Sequence, residues 1–318
     1  MQHKIILSII ILCLPFLLFS QYKNNQQKRE KIQEPIKCPT GSYELVWQDE
    51  FEGNQLDTNY WQTNYSSPKP WDCTLPRLEC GTELQIYQAK NVQVSNGTLK
   101  LTARKESINY QGIYGEAHPC ANKKIGDAFS LDFEYTSGIV VTKSSKIAFQ
   151  YGRYETRCKL PIGKGFWPAF WLWGGGGGNG RPGEIDILEI FDTAQPIFTT
   201  SIHNGNKKAR QDIPLSWDIR EWHTYTVEYD PTVVKYFVDG QLIRTYQRFK
   251  NIACQDGQFI TKKRKKYRRN PAFPWEQWMV LLLNLAVNPE PGMTVEETTV
   301  FPAVMEVDYV RVFKRREK

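Results

Sequence analysis

The sequence predicts an all-β chain, closing as a sandwich or jelly roll of two packed antiparallel sheets. Short runs rich in β-branched and aromatic residues recur between clusters of Gly, Asn, Asp and Pro, and two of the junctions, Asn96-Gly97 and Asp239-Gly240, are hairpin dipeptides. The runs fall at 43–47, 92–94, 98–103, 138–141, 152–160, 198–203, 224–229, 233–238, 278–285 and 305–313. Strands this numerous and this short normally bury one face each by packing two sheets together.

The chain has 318 residues and a formal net charge of +7. An apolar stretch from Ile5 to Ser20, interrupted by Pro15 and preceded by Lys4, is too short for a comfortable membrane span. It reads as a signal peptide over residues 1–20, so no stable membrane span is expected after its removal. Residues 21–40 begin with a Gln, Lys, Asn and Glu tail lacking apolar periodicity, expected to be a flexible spacer. No linker or repeat divides the remainder, so residues 41–318 are expected to form a single domain, most simply a monomer. Export would place it outside the cell, in the periplasm or on the cell surface. Nucleic acid is not an expected partner there, and the basic balance is compatible with an acidic glycan.

Removing the leader takes away Cys13 and leaves Cys38, Cys73, Cys80, Cys120, Cys158 and Cys254. In an oxidising compartment these allow disulfides whose pairing sequence does not choose, and no pair has the CxxC spacing of a zinc site.

In a strand from Phe166 to Trp173, the residues Trp167, Ala169, Trp171 and Trp173 share one face, and Phe166, Pro168, Phe170 and Leu172 share the other. The second face already supplies a core. Trp167 and Trp171 are therefore read as platforms for sugar rings, while Trp173 fits either the core or such a platform.

The strongest conflict lies at Gly183-Glu184-Ile185-Asp186-Ile187-Leu188-Glu189-Ile190-Phe191, where three acids sit inside an apolar, β-prone run. Burying unpaired charge is costly, so acids at this density point to chemistry. In a regular strand Glu189, at an odd offset, would face away from Glu184 and Asp186. One extra residue in a β-bulge near Ile187 and Leu188 would bring it back. Two glutamates on one face can then work on a glycosidic bond by double displacement, one as nucleophile and the other as acid and then base. Asp186 between them would hold Glu184 or tune its charge, because neighbouring like charges push pKa values apart.

At these residues the sequence resembles glycoside hydrolase family 16, in its bulged ExDxxE branch of laminarinase-like β-glucanases and related galactanases. The blocks Leu45-Val46-Trp47-Gln48-Asp49-Glu50-Phe51, Tyr151-Gly152-Arg153-Tyr154-Glu155, Lys159-Leu160-Pro161, Trp167-Pro168-Ala169-Phe170-Trp171 and Val307-Asp308-Tyr309-Val310-Arg311-Val312 extend the likeness over residues 43–313. The resemblance implies a jelly roll with a concave substrate cleft, Glu184 as nucleophile, Glu189 as acid/base and Asp186 as assistant. It further implies Trp167, Trp171, Arg153 and His203 in the cleft, a polysaccharide substrate, and no cofactor for catalysis. A structural calcium on the convex side would match Glu50 and Asp308, with the Gly97 carbonyl, a hard-oxygen set.

Two departures bear on substrate. Where the laminarinase pattern has a Trp-Pro step before the first glutamate, this chain has Gly174 to Gly178 and then Asn179-Gly180-Arg181-Pro182, and Thr82 stands where asparagine is common. The run Lys262-Lys263-Arg264-Lys265-Lys266-Tyr267-Arg268-Arg269 is either a solvated loop or a contact for sulfate or carboxylate groups. The expected activity is endo-hydrolysis of β-1,3- or β-1,3/1,4-glucan, with an agar, carrageenan or porphyran type of galactan as the alternative. A glycan-binding protein without turnover is the alternative of another class, and relatives of that kind tend to have lost the glutamates.

Overall fold

The structure, a computed structural model, describes residues 39–64, 83–113, 128–174, 183–250, 252–255, 258–261, 269–274 and 277–316. The leader, most of the spacer, Cys38, Cys73, Cys80, Cys120, Thr82, residues 175–182 and 262–268 of the basic run lie outside the described residues. The chain divides into Met1–Lys37 and Cys38–Lys318, and every described strand belongs to the second unit.

The strands are, in order, β1 (Tyr43–Asp49), β2 (Trp61–Gln62), β3 (Gln85–Tyr87), β4 (Val92–Ser95), β5 (Thr98–Ile113), β6 (Ala128–Ser137) and β7 (Ile139–Thr142). They continue as β8 (Gly152–Lys159), β9 (Phe166–Gly174), β10 (Gly183–Glu189), β11 (Ile197–Asn204), β12 (Lys207–Pro214) and β13 (His223–Tyr229). The last are β14 (Val233–Val238), β15 (Gln241–Gln247), β16 (Ile252–Gln255), β17 (Gln258–Thr261), β18 (Val280–Val287) and β19 (Ala303–Arg315). A seven-stranded sheet runs β12-β11-β10-β9-β18-β7-β2, and a ten-stranded sheet runs β15-β14-β13-β8-β19-β5-β6-β3 with β1 on β19 and β4 on β5. Strands β16 and β17 pair with each other. No helix among the described residues is long and apolar enough to cross a membrane.

Alternation explains the layering. On β18 the odd positions Leu281, Leu283, Leu285 and Val287 are buried against the facing sheet, together with Phe166, Phe170 and Leu172 of β9 and Tyr225, Val227 and Tyr229 of β13. Each such side chain contributes roughly 1.5–3 kcal/mol by leaving water. Cys158 of β8 is buried in this core as a free thiol. Both hairpin dipeptides sit at turns: Asn96 and Gly97 join β4 to β5 with φ of 55° and 72°, and Asp239 and Gly240 join β14 to β15 with φ of 49° and 76°. Two successive positive φ values match the right-handed twist of the flanking strands.

Candidate active site

The bulge expected in β10 is present, and it organises the site. Asp186 stands opposite Trp171 and Glu189 opposite Ala169, with a register shift between Asp186 and Leu188 on that side. The same shift appears against β11, where Asp186 faces Ser201 and Glu189 faces Thr199. Ile187 and Leu188 are both buried in the core, so two consecutive apolar residues point inward and Glu189 returns to the open face of the sheet.

Cross-strand registers then define three rows on that face. Lys208, His203, Glu184, Trp173 and Val280 form the first; Arg210, Ser201, Asp186, Trp171 and Leu282 the second; Asp212, Thr199, Glu189, Ala169 and Asn284 the third. Glu184 and His203 remain half-buried, and Asp186 is buried. Glu184, Asp186 and His203 bring one ligand-type atom each to within 4.8 Å of one another.

Burial dominates the electrostatics. It pushes the Asp186 carboxyl up to about 7, against the hydrogen bond that it shares with Glu184 and the charge of Lys208, which pull it down. Burial also holds Glu189 well above the usual carboxylate range, helped by the negative charges of Asp186 and Glu184 and opposed by Lys208 and Arg210. The Trp167 indole donates to Glu189 Oε1 at 3.3 Å, whereas Glu189 Oε2 is buried with no partner among the described residues. A carboxyl kept protonated with one oxygen unengaged is suited to give a proton to something bound above it. His203 Nε2 lies 3.2 Å from Asp186 Oδ2 and 3.7 Å from Glu184 Oε1. Desolvation lowers the imidazole below its ordinary pKa and outweighs the pull of Glu184, so these contacts belong to a neutral ring at neutral pH.

The indoles of β9 all lie on the open face. Trp171 donates to Asn284 Oδ1 at 2.8 Å, and Asn284 Nδ2 donates to Tyr87 Oη at 3.0 Å, which locks that ring. Trp173, for which sequence left core and platform open, meets Trp171 edge to face at 6.0 Å and is half-buried on the site side. Trp167 packs on Phe191 at 4.8 Å, and the Arg210 guanidinium sits 4.6 Å from the other partner of that stack, the Phe191 ring.

Two expectations are corrected. Arg153 is not in the site: it lies on β8 of the ten-stranded sheet, 2.6 Å from Glu155 and 3.7 Å from Glu228, with its guanidinium over Phe313. The charged pattern of β8 arises because alternate residues of that strand face outward from the other layer. The calcium set does not fit either. Both oxygens of Glu50 accept from Arg311 at 2.8 Å, and Asp308 Oδ2 accepts from Arg157 at 2.6 Å, so guanidinium groups take the place a cation would need. Gly97 serves the β4 to β5 turn. Melting temperatures in calcium and in a chelator are therefore expected to agree. A calcium-dependent rise above about 2 °C, roughly what 1 kcal/mol would produce in a domain of this size, would restore the metal site.

Sequence reading missed Lys208, Arg210, Phe191, Asn284 and Tyr87. The first two lie on β12, an edge strand whose outward-facing residues are nearly all polar and which therefore carries no apolar alternation. Asn284 offered one signal: a single amide inside the apolar run Leu281-Leu282-Leu283-Asn284-Leu285.

A jelly roll whose open sheet carries two glutamates, an aspartate between them and a row of indoles has the architecture of a two-carboxylate glycoside hydrolase. The chain belongs to that class through a particular family, the glycosyl hydrolases family 16, whose model matches residues 82–265. It is similar to a beta-glucanase of Rhodothermus marinus, 30% identical over 86% of this chain and 85% of that protein. It is also similar to the glucan endo-1,3-beta-glucosidase A1 of Niallia circulans, 29% identical over 92% of this chain but only 41% of that longer protein. Among solved structures, the catalytic domain of an endo-1,3-beta-glucanase (laminarinase) from Thermotoga petrophila aligns with a TM-score of 0.62 at 27% identity, covering 87% of this chain and all of that one.

Proposed function

We propose that this protein is an endo-acting, retaining β-glycan hydrolase, exported by its apolar leader, with β-1,3- or mixed-linkage β-glucan as substrate. The observation that carries the proposal is the bulge: it sets Glu184 and Glu189 on one face beside the indoles, with one Glu189 oxygen held by the Trp167 indole and the other buried without a partner among the described residues. The β-glucanase and laminarinase relatives support the polymer class.

In this mechanism a Glu184 oxygen attacks the anomeric carbon while Glu189 transfers its proton to the departing glycosidic oxygen. Glu189, now ionised, removes a proton from water, which attacks the anomeric carbon and releases Glu184. Asp186 hydrogen-bonds Glu184 and steadies it, and neutral His203 closes the other side of that carboxyl pair. Two inversions leave the β configuration in the first product. Proton NMR during early hydrolysis is expected to show the β anomer accumulating before mutarotation, and early α anomer would overturn double displacement.

The acid must hold its proton until the bond breaks. Because Glu189 titrates well above the ordinary value of about 4.3, kcat/KM is expected to hold beyond the ordinary carboxylate range and to fall only as pH rises through that elevated pKa. A descending limb centred near pH 4 to 5 would remove Glu189 from the acid role.

The basic edge of the site favours a second reading. Lys208 and Arg210 flank the carboxylate rows from β12, where they could meet sulfate or carboxylate groups of a galactan. Reducing-end release from laminarin, lichenan, agarose, porphyran and carrageenans separates the two. Cleavage of laminarin or lichenan supports the glucanase; cleavage of an anionic galactan alone supports the second.

A further inference from the structure

We infer that Trp278 is a sugar-stacking platform at the far end of the site face, a specificity-determining residue for a polysaccharide chain that crosses from β10 over β9 to β18; this rests on the polysaccharide reading above. Trp278 is 65% exposed, the most exposed aromatic ring among the described large apolar residues. An indole left this far in water is unusual unless something covers it in use, since Trp has more apolar surface to bury than any other side chain.

Its position is set by the strand that follows. Leu281, Leu283 and Leu285 of β18 point into the core, and Val280 and Leu282 point to the open face against Trp171 and Trp173. Met279 continues the core parity, buried and held by two backbone hydrogen bonds with Phe149 at 3.0 and 3.1 Å. Trp278 therefore continues the open-face series Asn284, Leu282, Val280. Val280 stands in one cross-strand row with Trp173 and Glu184. Trp278 is two residues beyond, so it lies ~7 Å further along the strand and ~10 Å across it from Glu184. A chain leaving the carboxylates on that flank meets Trp173 first and Trp278 next.

The ring is also presented by a built support. Gln277 is buried, and in the orientation that satisfies its amide it donates to Gly174 O at 3.1 Å and accepts from Gly183 N at 2.7 Å. This amide clamps the end of β9 to the start of β10, one residue before Glu184. Neither glycine has room for a side chain while the clamp is in place: a Cβ on Gly183 would stand 1.9 Å from the Gln277 amide and one on Gly174 would stand 2.3 Å from its carbon, so either would displace it. Buried neighbours on both sides fix the backbone that carries the ring, so stacking a sugar on it has to order only the two side-chain torsions of the indole. The clamp also ties the platform to the strand that carries the carboxylates.

The test compares Glu184→Gln with Glu184→Gln/Trp278→Ala and Glu184→Gln/Trp278→Phe in native gels containing laminarin, lichenan, agarose, porphyran or carrageenan, which read binding without digestion. Wild type and the single Trp278 variants are assayed beside them for kcat and KM on polymer and on a trisaccharide. Trp278→Ala is expected to weaken retardation about tenfold, or ~1.4 kcal/mol, and to raise KM on polymer with kcat and trisaccharide turnover kept. Trp278→Phe is expected to restore most of the loss, and the melting temperature to stay unchanged because the ring is exposed. Binding that depends on Trp278 without any cleavage by wild type would sink the hydrolase proposal and leave this inference standing. Cleavage by wild type with binding and KM unchanged in Trp278→Ala would overturn the inference alone. Failure of the Glu184→Gln protein to bind any of the polymers would overturn it as well.

Discussion

Glu184→Gln is expected to lower turnover of the best polymer by at least about 10³-fold while the protein stays folded. The amide keeps the shape of the side chain but cannot attack the anomeric carbon as an anion, and no neighbouring group can replace it. Asp186 is buried behind it and hydrogen-bonded, and Glu189 lies on the far side of the scissile bond in the proposed pose. Shortening the side chain gives a sharper result. With Glu184→Ala, azide can enter the vacated space, attack an activated β-glycosyl substrate once and yield an α-glycosyl azide. With Glu189→Ala, the same anion attacks the glycosyl-enzyme and yields the β product. Rescue with the opposite pairing of anomers would exchange the two roles, and near wild-type turnover by Glu184→Gln would remove the residue from the chemistry.

Glu189→Gln has two expected effects with different physical origins. Loss of the proton donor lowers polymer turnover by about 10²- to 10⁴-fold, and an aryl glycoside whose leaving group needs no proton recovers the first step. Stability should move the other way. A carboxyl whose folded pKa lies above its unfolded value favours the unfolded state once pH exceeds about 4.3, because the unfolded chain ionises freely and the folded one does not. Wild type therefore loses stability as pH rises from there through the folded pKa of Glu189, and the glutamine variant does not share that loss. The melting temperature of Glu189→Gln is expected to exceed wild type at pH 8, by about 2–4 °C for each kcal/mol relieved, and to match it near pH 3.5. An equal gap at both values would mean that the carboxyl is not raised by burial. The two readouts are independent, so a variant that is inactive and also less stable at pH 8 would indicate a structural defect.

The parts of the fold legible in sequence were those where one face of a strand is buried. The runs at 233–238 and 198–203 coincide with β14 and most of β11, and 278–285 overlaps β18, because a buried face imposes period-two alternation. Strand β12 has no such face, and β15 has little of one, so the alternation that marks a strand is missing from both. Arg153 shows the converse limit. Its strand is readable, but alternation says only that a residue faces outward and not from which sheet. Glu50 and Asp308 fit a calcium set by position, and it took the folded chain to bring Arg311 and Arg157, distant in sequence from their partners, onto those carboxylates.

What the sequence by itself determined was the chemistry on offer: three acids in an apolar run whose parity works only with one extra residue, and indoles alternating with a core-forming face. Those are local properties of single strands, set by side-chain period and by the cost of burying charge. Only the tertiary structure decided how that chemistry is tuned and extended. The elevated proton affinity of Glu189 comes from burial and from neighbouring carboxylates, the Lys208 and Arg210 edge comes from a strand two positions away in the sheet, and the inferred Trp278 platform rests on the pairing of β18 with β9. Desolvation and cross-strand register exist only once strands far apart in the chain lie side by side, which is why neither could be read from the residues alone.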